Sequence, residues 1–252
     1  MNKIALITGA TAGIGEACAK KLAQIGFDLI ILGRRKEKLE QVKEEILGQY
    51  KVKVLSLELD VRNQIDVDEK INSLPKEWKK IDLLLNNAGL AVGVSPIQEG
   101  IIDDWERMID TNVKGLLYVT KAVSPLMIEQ KAGHIINITS IAGKEVYPGG
   151  NVYCATKHAV DAITKGSRID LLPHNIKVSS IAPGMVETEF SLVRFKGDSG
   201  KASQVYNGFT PLNAEDIAET VEFIATRPAH VNINDILIMP TNQASSRDVN
   251  RN

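Results

Sequence analysis

The sequence predicts an α/β fold: a doubly wound parallel sheet of about seven strands with helices on both faces. Three observations carry this. Short aliphatic or β-branched runs recur along the whole chain, most of them are followed by helix-length amphipathic stretches, and the runs are almost continuously apolar rather than alternating. Near-continuous apolar strands separated by helices are the pattern of a parallel sheet covered on both sides. Short right-handed crossovers then place successive strands in one sheet.

Taken in order, the runs are "KIALIT", "FDLIIL", "VKVLSLEL", "IDLLLN", "GHIINIT", "IKVSSIA" and "NDILIMP". After the first, "EACAKKLAQIGF" carries a 3.6-residue signal. Ala17, Leu22 and Ile25 share one stripe, while Lys20, Lys21 and Gln24 face outward. Gly26 then reads as the C-cap. After the second run, "KEKLEQVKEE" continues as a charged, solvated helix. The stretch Met185 to Leu212, rich in Gly, Ser and charges, breaks the rhythm late in the chain and reads either as a lid over a site or as a plain surface excursion. The closing "QASSRDVNRN" is polar and is expected to be loose. No repeat, low-complexity tract or linker separates two units, so residues 1–252 read as one domain with a lid at about 185–212.

Composition narrows the function. With 252 residues, 44% of them hydrophobic, the chain can bury a substantial core. Lys plus Arg number 30 and Asp plus Glu 31, a balance that offers no field for nucleic acid or an anionic membrane and leaves small-molecule chemistry. Cys18 and Cys154 fit neither metal nor redox spacing and imply a reducing cytoplasm. The opening "MNKIALITGA" runs directly into a strand without a secretory leader, and no run of eighteen apolar residues spans a membrane. His134, His158, His174 and His230 lie far apart without a ligating pattern, so no metal is expected.

The first run ends in "TGATAGIGEA", which places Gly9, Gly13 and Gly15 on a strand-to-helix turn. Glycines there let backbone approach a ligand closely, and the following helix N-terminus presents unpaired N–H groups to a pyrophosphate. Strand, glycines and helix in this order are the context of dinucleotide binding in a Rossmann-type fold. After the second run, where an acid would hydrogen-bond a ribose 2′-hydroxyl, the chain has Gly33, Arg34 and Arg35. A guanidinium binds a 2′-phosphate through paired hydrogen bonds and a carboxylate repels it, so NADP(H) is the expected cofactor. The alternative is that both arginines simply open the charged helix.

The spacing Gly-x-x-x-Gly-x-Gly, preceded by Thr8, resembles that of the short-chain dehydrogenase/reductase family. Ser140 at the end of the fifth run, the Tyr153-x-x-x-Lys157 pair and Asn112 in "MIDTNVKG" match that family's catalytic residues one by one. The resemblance extends from the first strand through Thr188. It implies that Thr8, Gly9, Thr11, Gly13, Ile14 and Gly15 form the cofactor loop, that Asp60 and Val61 contact adenine, and that Asn87, Ala88 and Gly89 close over the ribose. It also implies that Pro183, Gly184 and Thr188 hold the nicotinamide end and that transfer is 4-pro-S. Tyr153 would act as the acid and base, Lys157 would hold the ribose and Ser140 the substrate oxygen. Asn112 would hold a water linking Lys157 to solvent.

The residue types suit that chemistry. Hydride transfer at a carbinol carbon requires a matching proton transfer at oxygen, for which an ordinary tyrosine is a poor base at neutral pH. An ammonium about 4 Å away, at an effective dielectric near 20, favours the phenolate by about 4 kcal/mol. Cys154, between the two, reads as a small packing residue.

The segments "VETEFSLVRFKGD" and "HVNINDILIMPTNQASS" are similar to the branch that uses NADP to oxidise small 3-hydroxy acids of the serine, allo-threonine and 3-hydroxypropionate type. A carboxylate substrate needs a cation, and Arg194 is the candidate; the alternative is a surface or subunit-contact arginine. Other readings are a reductase of a different carbonyl, such as a 3-oxoacyl thioester or a sugar, or a non-catalytic NADPH-binding regulator. The resemblance further implies a homotetramer.

Overall fold

The computed structural model describes residues 2–252. Each of the seven apolar runs forms a strand: β1 (Ile4–Thr8), β2 (Asp28–Gly33), β3 (Val54–Glu58), β4 (Ile81–Asn86), β5 (Gly133–Ile138), β6 (Ile176–Pro183) and β7 (Asp235–Ile238). They make one sheet in the order β3-β2-β1-β4-β5-β6-β7, every neighbouring pair parallel. The order reverses direction between β1 and β4, which opens a crevice at the carboxyl ends of those strands.

Both faces of the sheet are covered because its strands are apolar on both. Along β4, Leu83 and Leu85 join the cluster under α1 (Gly13–Gln24) and α2 (Lys36–Gln49), while Ile81 and Leu84 join the one under α3 (Gln64–Asn72). Each such aliphatic side chain leaving water contributes about 1.5–3 kcal/mol. In α1 the expected stripe is inward: Ala17 and Leu22 are buried and Ile25 packs against the same cluster, with Gly26 at φ +88° just beyond. A residue with a Cβ is strained at that angle, which is why glycine ends this helix.

Further along come α4 (Ile102–Ile109), a π-helical turn (Asp110–Gly115), α5 (Leu116–Gln130) and α6 (Asn151–Leu171). The 185–212 excursion carries two short helices, α7 (Glu189–Arg194) and α8 (Ser199–Gln204). Its base is closed by two backbone bonds, from Glu187 N to Leu212 O and from Leu212 N to Met185 O. α9 (Ala214–Ala225) then returns to α1, with Lys21 facing Glu219 and Glu222.

The polar C-terminus corrects an expectation, because it is pinned. Asn252 N donates to Gly208 O, Arg251 donates to the carbonyls of Val205 and Asn207, and Arg247 reaches Val146 O. Composition signals solubility, but the tail's donors find unpaired carbonyls of the excursion, which no local pattern reveals. Cys18 and Cys154 are both buried and free. His134 is buried within β5, its Nε2 2.8 Å from Ser179 Oγ, and burial pushes its pKa down to about 3. Among the described residues, no helix is long and apolar enough to cross a membrane.

Candidate active site

A cleft of about 480 Å³ opens at the carboxyl ends of β1, β2, β4, β5 and β6, and most of the expected site residues line it. Its floor is the β1–α1 turn. Gly9 and Gly13 adopt φ +68° and +55°, angles that favour glycine. Gly15 is needed for packing: a Cβ there would lie 2.3 Å from Gly9 O. Thr11 and Ile14 complete the floor.

Thr8 and Asn87 lock this floor to the turn after β4. The Thr8 hydroxyl is buried, accepts hydrogen bonds from the backbone N–H of Asn87 (3.0 Å) and Ala88 (2.9 Å), and donates to Leu85 O. Asn87 Nδ2 donates to the carbonyls of Thr8 and Gly9. Thr8 and Gly15 do not line the cleft; they shape the backbone that does.

At one end the cleft is lined by Gly33, Arg34, Arg35, Asp60 and Val61. Both arginines are about half exposed. Arg35 donates to the Thr11 hydroxyl and carbonyl and pairs with Glu189 Oε2 at 3.0 Å, whereas among the described residues Arg34 has only Asp60 at 3.9 Å. Burial raises the Asp60 carboxyl, and a fork of bonds from Arg62 more than reverses this and holds it below the usual range. Arg107 and Thr111, which sequence reading missed, also face this cleft; the Thr111 hydroxyl is buried and finds no partner among the described residues.

The other end gathers Ser140, Tyr153 and Lys157 from β5 and α6, with Pro183, Gly184 and Thr188 opposite. Tyr153 and Lys157 are buried, the lysine Nζ 5.9 Å from the tyrosine ring centroid and donating to Ile138 O at 3.0 Å. Burial lowers Lys157 to about 8. Burial also pushes the Tyr153 phenol well above its ordinary value, with Tyr147 adding to this and Ser140 and Arg194 opposing it. The depressed tyrosine expected from a lysine at contact distance is therefore not seen. Desolvation of two sealed groups outweighs an ammonium that has turned to a backbone carbonyl.

Asn112 lies in the π-helical turn and does not reach the cleft. Its Oδ1 accepts from Leu90 N, and its Nδ2 donates to Leu90 O and Thr156 Oγ1. It thereby holds the backbone that follows Gly89, where a Cβ would lie 3.2 Å from Asn112 Oδ1 and 3.6 Å from Lys157 Nζ.

Arg194 also stands back from the cleft wall, yet it is at the reacting end. Its guanidinium carbon is 5.3 Å from the Tyr147 ring centroid and 5.9 Å from that of Tyr153, and Nη2 donates to Tyr147 Oη at 3.0 Å. Its Nε is buried and finds no partner among the described residues. Phe190, from the same helix, covers Tyr153 at a centroid distance of 5.8 Å. Tyr147, Phe190 and Gln243 were missed. Gln243 is buried, accepts from Met185 N and abuts Gly184, where a Cβ would lie 2.3 Å from its Oε1. Tyr147 stands in a Pro-Gly-Gly loop and Gln243 in a polar tail, contexts that read as surface.

The chain as a whole is similar to known proteins. The family model described as short chain dehydrogenase matches residues 3–197. A Salmonella typhi protein named NADP-dependent 3-hydroxy acid dehydrogenase is 50% identical over 242 residues, 96% of each chain. Sulfoacetaldehyde reductase 2 of Chromohalobacter salexigens is 47% identical over 247 residues, 98% of this chain and 97% of that one. Among solved structures, the closed form of a serine dehydrogenase complexed with NADP+ superposes with a TM-score of 0.92 at 47% identity, covering 99% of this chain and all of that one.

Proposed function

This chain belongs to the short-chain dehydrogenase family, and from that premise we propose that it transfers hydride between NADP(H) and the 3-hydroxyl carbon of small 3-hydroxy acids of the serine, allo-threonine or 3-hydroxypropionate type. The carrying observation is Arg194, a cation set between Tyr147 and the buried Tyr153 where a carboxylate attached to the reacting carbon chain would arrive. The relatives named for 3-hydroxy acids and serine support the same class.

The cleft fits the cofactor. Its glycine floor has no room for added carbon at Gly15, and its far end offers two arginines and no acid at the end of β2, which suits a 2′-phosphate. Of the two, Arg34 is less engaged and takes the phosphate more freely, while Arg35 also ties Thr11 to Glu189. Asp60 and Val61 border the adenine end, and Pro183, Gly184 and Thr188 the nicotinamide end, with the 185–212 excursion as the lid. Bound NADP(H) supplies the hydride donor or acceptor.

The chain's own residues handle the proton and the orientation. Tyr153 gives its phenolic proton to the carbonyl oxygen during reduction and takes it back during oxidation. Ser140 donates to the same oxygen and steadies the charge that develops there. Lys157, with a pKa near 8, holds a cation beside the ribose and the tyrosine at neutral pH. Asn112 orders the Leu90 backbone next to Lys157. The same reading makes the protein a cytoplasmic homotetramer, and exposed Ile102, Leu117, Ile169 and Leu237 on α4, α5, α6 and β7 support such an assembly.

Nicotinamide absorbance tests this with NADP+ or NAD+ against L-serine, allo-threonine, 3-hydroxypropionate and a neutral secondary alcohol. Selective NADP+ reduction by the hydroxy acids is expected. Turnover of only the neutral alcohol overturns the acid assignment and leaves a dehydrogenase of another substrate. Silence throughout, with NADPH still bound, favours a non-catalytic regulator.

A further inference from the structure

Asp104 on α4 is a carboxylate only 5% exposed, and Lys196 Nζ lies 2.7 Å from its Oδ2. A buried carboxylate needs a partner, and Lys196 is the one cation within ion-pair distance among the described residues. Lys196 stands two residues past Arg194, where the chain leaves α7 through a left-handed residue: φ is +54° at Lys196 itself. From the other side Gly93 N donates to Arg194 O at 2.9 Å, and a Cβ on Gly93 (φ +73°) would lie 3.2 Å from Asp104 Oδ2. One carboxylate thus touches both segments that hold the Arg194 backbone. Neither Asp104 nor Lys196 lines the cleft.

Resting on the reading of Arg194 as the carboxylate clamp, we propose that the Asp104–Lys196 pair is a clasp that seats the end of α7 so that Arg194 stands between Tyr147 and Tyr153, which makes both residues positioning residues for selectivity toward anionic substrates. The lid helix has only six residues and cannot hold its own orientation, because so short a helix depends on tertiary contacts. Its first half is held by Ser191, whose hydroxyl lies 2.6 Å from Tyr206 Oη. Its last turn, which carries Arg194, is held by the clasp and the Gly93 bond. Loosening the clasp leaves the cofactor floor and the Ser140, Tyr153 and Lys157 set untouched and blurs only the position of the cation.

The test is steady-state oxidation by the full-length enzyme with NADP+, using 3-hydroxypropionate and its neutral isostere 3-hydroxypropionamide. For Lys196→Ala, the KM for the acid should rise about three- to fivefold, the range open to a partly exposed ion pair. Turnover number, NADPH affinity and the KM for the amide should hold, and Lys196→Arg should restore the acid KM. Asp104→Asn should repeat the pattern; because it alters a buried group, its thermal midpoint is read first, and Lys196→Ala decides if it fails to fold. An acid KM that does not move in Lys196→Ala, or acid and amide KM values that rise together, overturns the clasp. If the unmodified enzyme does not prefer the acid over the amide, the functional reading falls and the clasp with it. A preference that stays undiminished in Lys196→Ala overturns the clasp alone.

Discussion

At Gly15 a single added carbon would lie 2.3 Å from Gly9 O, whereas across the same cleft Glu189 and Arg35 meet at 3.0 Å with both side chains about half in water. The floor of the site is backbone packed against backbone, tied by the buried Thr8 hydroxyl and the Asn87 amide. The 185–212 excursion meets this rim through a half-exposed ion pair and is otherwise held by a few hydrogen bonds and the Asp104–Lys196 pair. Close packing transmits every added atom into strain, while screened pairs each contribute little. Substitutions in the floor should therefore remove binding or folding, and those in the lid should shift selectivity.

The largest effect is expected at the buried reacting end. Tyr153→Phe removes the hydroxyl proposed to exchange the proton and should lower kcat by about 10²–10⁴-fold, the usual weight of a general acid or base, with NADPH affinity nearly unchanged by fluorescence titration. Unchanged turnover would sink the assignment of Tyr153. Next comes the floor. Gly15→Ala should cost about 1–3 kcal/mol by overpacking and weaken NADPH binding as the turn shifts. A variant with the parent's thermal midpoint and affinity would show that the floor yields as readily as the lid.

A third expectation uses pH. Lys157 has a pKa near 8 in the folded chain against 10.5 as an ordinary lysine, so the unfolded chain binds more protons between those values. Folding stability therefore rises with pH through that window and is lower below pH 8, where a buried charge must be kept. Burial raises Tyr153, Cys18 and Cys154, which act in the opposite sense above their ordinary values of 10.0 for the tyrosine and 9.0 for the cysteines, so the clear interval is pH 8 to 9. Denaturant unfolding of the parent should show this climb, and Lys157→Met should flatten it. A parallel climb in the variant would place the proton elsewhere. The smallest effect is expected at the rim. Glu189→Gln leaves Arg35 without its carboxylate and should tighten NADPH relative to NADH by no more than about fivefold, since the pair is half exposed. A loss of NADPH affinity would instead make the Arg35–Glu189 link part of the site's shape.

Both regions were readable in the chain to different depths. Each of the seven apolar runs became a strand, because a strand covered on both faces advertises itself locally. Ser140, Tyr153 and Lys157 were placed in one crevice from their positions at a strand end and on the following helix, and they line it together. Arg194 was picked out as a cation in the lid, and it stands beside Tyr153. Its partner Tyr147, the ring cover Phe190 and the brace Gln243 were not found, because each acts across 37 residues or more of chain. The tail was taken as loose on composition, and its bonds to Gly208 and Val205 run to the lid.

The sequence by itself determined the sheet, the glycine floor and the residue types of the reacting centre, since periodicity and glycine placement are properties of a few consecutive residues. Only the tertiary structure decided how those groups are poised. Burial raises Tyr153 and lowers Lys157, Asn112 spends its amide on Leu90 and Thr156, and Arg35 is shared between Thr11 and Glu189. Desolvation, charge pairing and hydrogen-bond satisfaction depend on what surrounds a group in space, and those surroundings come from segments far apart in the chain.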